Sequence, residues 1–285
     1  MKLVSFDGGR LGSVDGDEVV DLGQRAAAAG HPGATLEDLV RGELLDDARR
    51  WSLAGLPRRP IGAVRLEAPL CRPGKIVAAP VNYRAHQDEM EWPTSVEDLG
   101  VFLKAPSSII GPGDEISLPY LDVRTDQEGE LAVVIGRRAR DVTLQAALDH
   151  VAGYTCLLDI TTRSTEDRSM RKSFDTFTPL GPCLVTADEV ADPDRLRLRC
   201  WVNGRLRQDA STAQMIFSVP LLIAYASSVL TLQAGDILAT GTPAGVGPLS
   251  GGDEICVEIE RVGRLEVGVS AERATAYAER PRVAG

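Results

Sequence analysis

The sequence predicts an α+β fold that is mostly β: a mixed β-sheet roll or barrel with few covering helices, preceded by a small amino-terminal α/β cap domain. Three observations carry this reading. Beyond residue 66 the apolar runs are short and separated by Gly and Pro, as strands are. Two turn signals, Asn203-Gly204 and Val262-Gly263, each join a pair of such runs. Helical periodicity is confined to a few segments, so strands must supply most of the core.

In chain order, residues 3–6, 11–14 and 19–22 read as short strands, turned by Asp7-Gly8-Gly9 and Asp15-Gly16-Asp17. An Ala-rich stretch leads into a helix expected from about residue 35 to 51, with Thr35 as its cap and Glu37 and Asp38 in its first turn. Pro57-Arg58-Arg59-Pro60 reads as the connection, which assigns residues 1–65 to the cap domain and 66–285 to the larger one. Strands are then expected at 64–66, 75–79, 101–104, 131–135, 153–158, 183–186 and 237–239, and helices at 144–151 and 219–230. Asn203-Gly204, between 196–202 and 205–208, is the preferred chemistry of a type I′ turn, and the second hairpin joins 254–260 to 264–269. The apolar segment 215–223 reads as core or subunit contact, and the tail 280–285 is expected to fray.

Composition bounds the partners. At 285 residues, with 44% hydrophobic and 25% charged residues, the chain is an ordinary soluble globular protein by its make-up. Forty-one acidic against 31 basic residues, a net charge of −10, argues against nucleic acid or an anionic membrane surface as the main partner. No stretch approaches the ~20 apolar residues of a membrane span. The amino terminus is broken by polar residues too early for a signal peptide, so the cytoplasm is the expected location. Five cysteines, at 71, 156, 183, 200 and 256, form no C-x-x-C pair and read as buried reduced thiols.

The chemistry concentrates at Glu128-Gly129-Glu130, directly before the run Leu131-Ala132-Val133-Val134-Ile135. Side chains two apart on a strand share a face, so both carboxylates project together and need a cation. Taken alone, such a pair more often faces solvent. A third carboxylate, Asp159, lies in the apolar stretch 154–160, where an unpaired ionised group is costly to bury. Three hard oxygen ligands without adjacent His or Cys suit Mg²⁺ or Mn²⁺, with Ca²⁺ less favoured, rather than zinc.

His86 and Glu89 are three apart on an expected turn or short helix, where the carboxylate can orient the imidazole as a proton-transfer pair. His31 and His150 have no such setting. In Thr240-Gly241-Thr242-Pro243 the small residues would let backbone donors and the Thr242 hydroxyl approach an anionic substrate group. Gly245 and Gly247 do not complete a nucleotide-binding loop.

A series of motifs follows in order: Asn82-Tyr83-x-x-His86-x-x-Glu89, Phe102-Leu103-Lys104-x-Pro106-Ser107-Ser108, Gly111-Pro112-Gly113-Asp114 and Glu128-Gly129-Glu130 with its apolar run to Gly136. Then come Gly153-Tyr154-Thr155-x-x-x-Asp159, Lys172-Ser173-Phe174-Asp175-Thr176-x-x-Pro179-Leu180-Gly181-Pro182, Val202-Asn203-Gly204 and Thr240-Gly241-Thr242-Pro243-x-Gly245-Val246-Gly247. Over about residues 70 to 270 this series resembles the fumarylacetoacetate hydrolase family.

The resemblance implies that family's fold for the larger, catalytic domain, with Glu128, Glu130 and Asp159 as metal ligands and His86 with Glu89 as a water-activating dyad. It places Lys172 in the same pocket, where an ammonium can hold a substrate oxygen or the attacking water. Arg163, with Gly241 and Thr242, would bind a substrate carboxylate. The implied activity is metal-dependent hydrolysis of a C–C bond in a β-diketo or acylpyruvate-type oxo-acid. Decarboxylation or isomerisation (tautomerisation) of an oxo-diacid uses the same metal–enolate chemistry and is the alternative; a sugar-acid dehydratase and a non-catalytic metal- and ligand-binding relative are further ones. A homodimer is implied as well. Thr161-Thr162-Arg163-Ser164 and Ala79-Pro80-Val81 depart from the common pattern, which locates the differences in the substrate pocket.

Overall fold

The computed structural model describes residues 1–91 and 93–281; of the tail expected to fray, residues 282–285 lie outside the described residues. Its spine is the antiparallel pair Gly129–Ile135 and Val151–Leu158, every residue of which is buried. Both faces are covered, which is why these strands read as unbroken apolar runs instead of alternating.

The two strands sit inside a 12-stranded sheet. On one side Val151–Leu158 pairs with Thr178–Thr186, and that strand with Lys2–Phe6. On the other, Gly129–Ile135 pairs with Ile237–Ala239, which runs parallel to Ile76–Ala78, followed by Phe102–Lys104. A five-stranded sheet, ordered Arg205–Ser211, Arg197–Val202, Glu254–Ile259, Gly263–Ser270 and Glu115–Ser117, packs over one face. There Leu131, Val133 and Leu158 meet Leu198, Val257 and Leu265. The alternate residues Ala132, Val134 and Leu157 face the opposite way, against Leu36, Leu39 and Val40. A three-stranded sheet of Thr161–Thr162, Thr125–Gln127 and Gly247–Pro248 lies beside the carboxylates. The architecture is therefore α+β and mostly strands, and no helix among the described residues is long and apolar enough to cross a membrane.

The amino-terminal strands Lys2–Phe6, Arg10–Asp15 and Glu18–Asp21 form a meander whose sheet continues into that of the larger region through Leu3↔Leu184. Arg58–Pro60, read as a connection, adds an edge strand to Glu18–Asp21. The helix expected over 35–51 is split into Leu36–Arg41 and Leu45–Ala48. Thr35 and Asp38 close a capping box at its start, but Gly42 stops the first segment and Glu43 turns left-handed at φ 55°. The helix expected over 144–151 is a single 3-10 turn, Ala147–His150, because Val151 is already drawn into the central sheet. The apolar helix forms as expected, at Val219–Val229. Asn203 and Gly204 both have positive φ (52° and 72°), as the type I′ hairpin requires. Four of the five cysteines are buried and Cys71 is exposed.

Candidate active site

The carboxylates meet where the two central strands end. Gly129 pairs with Leu158, and the Asp159 N–H donates to the Glu128 carbonyl at 2.8 Å, so the residue beyond each strand is tied to the other. One oxygen each from Glu128, Glu130 and Asp159 lies within 4.8 Å of the others, and all three residues are buried. The period-two argument for Glu128 and Glu130 thus holds across the start of the strand.

Cations surround the trio unevenly. The Lys172 ammonium donates to Glu128 Oε2 at 2.6 Å, Asp159 Oδ2 at 2.7 Å and Thr161 Oγ1 at 2.6 Å. Lys104, fully buried, pairs with the other oxygen of Asp159 and donates to the Phe177 carbonyl at 3.0 Å. Arg163 donates to Glu128 Oε1 at 3.0 Å and to Asp126 Oδ2 at 2.7 Å. Glu130 accepts one backbone N–H, from Gly241 at 2.8 Å, and among the described residues no ammonium or guanidinium stands within ion-pair distance of it.

The titration behaviour follows. Burial disfavours the charged form of Glu128, but Lys172, Arg163 and His86 outweigh it and bring the carboxyl down to about 2. For Glu130, burial and the neighbouring charges of Asp159 and Glu128 act together and push the carboxyl well above the ordinary range. Burial lowers Lys104, while at Lys172 the fields of Asp159 and Glu128 prevail over burial and raise it. A buried carboxylate with two anionic neighbours and no paired cation is the place where a hard divalent ion relieves the most charge. An all-oxygen donor set of this kind fits Mg²⁺ or Mn²⁺.

His86 sits on the helix Arg84–Glu89, buried, with Nδ1 at 3.0 Å from Glu89 Oε2. The second oxygen of Glu89 accepts the Gly245 N–H at 2.9 Å, so the carboxylate is pinned between imidazole and loop. With Nδ1–H donated to Glu89, Nε2 is the nitrogen left to exchange a proton. A cavity of about 50 Å³ brings the groups together: His86, the three carboxylates, Lys172, Arg163, Arg168, Arg171 and Thr242 line it, with an apolar wall from Ala79, Val81, Met90 and Phe102. A larger surface hollow of about 500 Å³ beside Trp201 and Arg264 shares no residue with it.

Three expected substrate contacts are placed differently from their sequence reading. The Thr242 hydroxyl lines the cavity but donates to the Gly129 carbonyl at 3.0 Å and accepts from Gln208 at 2.8 Å. The Gly241 N–H is committed to Glu130, and Arg163 to Asp126 and Glu128. In each case the local donor satisfies a buried acceptor of the protein itself. Gly241 is indispensable there: at φ +90° a Cβ would stand 2.6 Å from that of Asn82. Asn82 in turn holds the loop, donating to the Thr240 carbonyl at 2.7 Å and accepting the Phe217 N–H at 2.7 Å.

Sequence reasoning assigned no role to Lys104, Asp126, Gln208 or Arg171. Lys104 alone carried a signal, a charge closing the apolar strand Phe102–Lys104.

Residues 75–270 match the family model described as the fumarylacetoacetate (FAA) hydrolase C-terminal domain. The chain is 40% identical over 284 residues to a maleylpyruvate hydrolase of Aquipseudomonas alcaligenes, covering 94% of this chain and 99% of that protein. It is 42% identical over 246 residues to a mitochondrial oxaloacetate tautomerase of Homo sapiens, covering 81% and 78%. Its fold matches the crystal structure of maleylpyruvate hydrolase from Sphingobium sp. SYK-6 in complex with manganese(II) and pyruvate, with TM-score 0.84 and 42% identity, covering 97% of this chain and 100% of that one.

Proposed function

Because the chain belongs to the fumarylacetoacetate hydrolase family, we propose that it hydrolyses a C–C bond of an acylpyruvate-type oxo-acid with the help of one divalent metal ion. The observation that carries this reading is the imidazole–carboxylate pair His86–Glu89 lining the same cavity as three convergent carboxylates. Glu128, Glu130 and Asp159 would hold the ion, which supplies a Lewis acid for the adjacent oxygens of the 2-oxo-acid.

The chain's own groups do the rest. His86 Nε2 takes a proton from the water that adds to the distal carbonyl carbon, and Glu89 stabilises the imidazolium through Nδ1–H. Lys172 offers its ammonium to the oxygen on which negative charge grows. The C–C bond then breaks with its electron pair on the pyruvate carbon, and the proton held by His86 is returned to that carbon. Water oxygen ends in the carboxylic acid product. A homodimer, implied by the family resemblance, is part of the same proposal.

A second reading is favoured by the 42% identity to an oxaloacetate tautomerase. The dyad would then shuttle a proton between carbon and oxygen with no water added. Incubating the purified chain and Mn²⁺ with an acylpyruvate, and assaying pyruvate, carbon dioxide and double-bond shift separately, distinguishes them. The hydrolase reading expects pyruvate release that EDTA abolishes and that His86→Ala lowers by about 10²–10⁴. Carbon dioxide or a shifted double bond, without incorporation of solvent oxygen, overturns it.

A further inference from the structure

One wall of the cavity has little regular structure of its own. Between the strands Thr161–Thr162 and Thr178–Thr186 the chain's regular structure is the four-residue helix Arg168–Arg171. This stretch nevertheless carries Arg163, Arg168, Arg171 and Lys172, all of which line the cavity. Ordering such a segment costs backbone entropy that contacts from elsewhere must offset.

The carboxyl-terminal segment supplies those contacts. Thr275 bridges to Tyr120, its N–H donating to the Pro119 carbonyl at 3.1 Å and its carbonyl accepting the Leu121 N–H at 2.9 Å, and the Tyr277 N–H donates to Asp122 Oδ1 at 2.7 Å. From this anchor the Tyr277 hydroxyl donates to Glu166 Oε1 at 2.7 Å. Arg280 pairs with the same oxygen and donates to Tyr277 Oη at 3.2 Å, and the Glu166 side chain is only 11% exposed. Beyond Lys172 a row of rings does the rest. Tyr277 meets Tyr120 edge-on at 4.9 Å, Tyr120 meets Phe174 at 5.7 Å, and Phe174 meets the buried Phe177 at 5.1 Å. The stretch holding Lys172 is thus gripped on one side at Glu166 and on the other at Phe174, and both grips lead to Tyr277.

We propose that the segment 275–280 is a strap that positions Lys172 for the reaction, with Tyr277 and Arg280 as positioning residues acting through Glu166 and Phe174. This rests on the role proposed for Lys172 and deepens it. Tyr277 and Arg280 lie beyond residues 75–270, so the strap is an addition to the part that matches the family model. The carboxylates do not depend on it, because the strands Gly129–Ile135 and Val151–Leu158 hold them from the central sheet. Loss of the strap therefore leaves ion binding in place. It lowers kcat more than it raises KM, since Lys172 acts on charge that grows during the reaction.

The test measures hydrogen exchange, Mn²⁺ affinity by calorimetry and turnover of acetylpyruvate on the full chain. In Tyr277→Ala the amides of residues 163–174 should exchange at least about tenfold faster. Mn²⁺ affinity should stay within about twofold of the wild type while kcat falls at least about tenfold. Tyr277→Phe keeps the ring row and should recover part of kcat, and Arg280→Lys, which keeps a charge on Glu166, should retain more than Arg280→Gln. Unchanged exchange over 163–174 overturns the proposal, as does faster exchange with unchanged kcat. A fall in kcat matched by an equal loss of Mn²⁺ affinity would mark a general structural role and also overturn it. If the wild type forms no pyruvate, the hydrolase reading fails by itself, and keto–enol exchange of oxaloacetate becomes the turnover on which the same variants are compared. A wild type active in neither assay overturns both.

Discussion

Replacing Lys172 by Met tests whether its ammonium is a stand-in for part of the positive charge the carboxylates require. Three hydrogen bonds of 2.6, 2.7 and 2.6 Å disappear, and with them the ammonium that stands 5.6 Å from the Phe102 ring centroid. Removing one partner of a buried ion pair costs about 3–5 kcal/mol. Glu128 keeps Arg163 and Asp159 keeps Lys104, so the lower end applies, about 3 kcal/mol in the metal-free protein. For a chain of this size that lowers Tm by roughly 6–12 °C. Mn²⁺ at about a hundred times its Kd returns roughly 2.7 kcal/mol by mass action, nearly the whole deficit. Thermal and urea denaturation in EDTA and in Mn²⁺ measure both quantities. A variant as stable as the wild type in EDTA, or one that Mn²⁺ fails to stabilise, would refute the electrostatic account of the trio.

Gly241→Ala is expected to do more harm than its single methyl suggests, because the new Cβ meets Asn82 at φ +90° and the N–H bound to Glu130 must move. The cost is about 1–3 kcal/mol of strain, read by urea denaturation, together with weaker Mn²⁺ binding. Stability should also depend on pH through Glu130. Its carboxyl is raised above the ordinary 4.5, so its contribution is fully present below that value and is lost as pH rises through the raised one. Glu128 acts in the opposite sense, contributing above 4.5 and losing that contribution as pH falls toward about 2. In EDTA, Glu130→Gln should therefore flatten the loss of stability toward neutral pH, and superimposable wild-type and variant profiles would count against the assignment.

The parts legible in the sequence were those with a local physical signature. Glu128 and Glu130 stand out because a two-residue period meets an apolar run, and Asp159 because a lone charge ends a buried stretch. His86 and Glu89 share one face of a short helix, so their 3.0 Å contact follows from spacing. The start of Thr178–Thr186 was hidden by Pro179, Gly181 and Pro182, which read as breakers although the strand runs through them. The continuity of the amino-terminal meander with the large sheet depends on Leu3 pairing with Leu184, a contact between distant segments with no local trace. Gly241, Thr242 and Arg163 show the same limit at the site. Residue type announces a donor, but which acceptor claims it is decided by tertiary packing, and here the acceptors belong to the protein.

Mn²⁺ titration followed by calorimetry, on the wild type and on Asp159→Asn and Glu130→Gln, tests the metal centre most directly. The account predicts one ion bound per chain in the wild type and at least about tenfold weaker binding in each variant. Unchanged affinity in both variants, or no ion bound by the wild type, would contradict it.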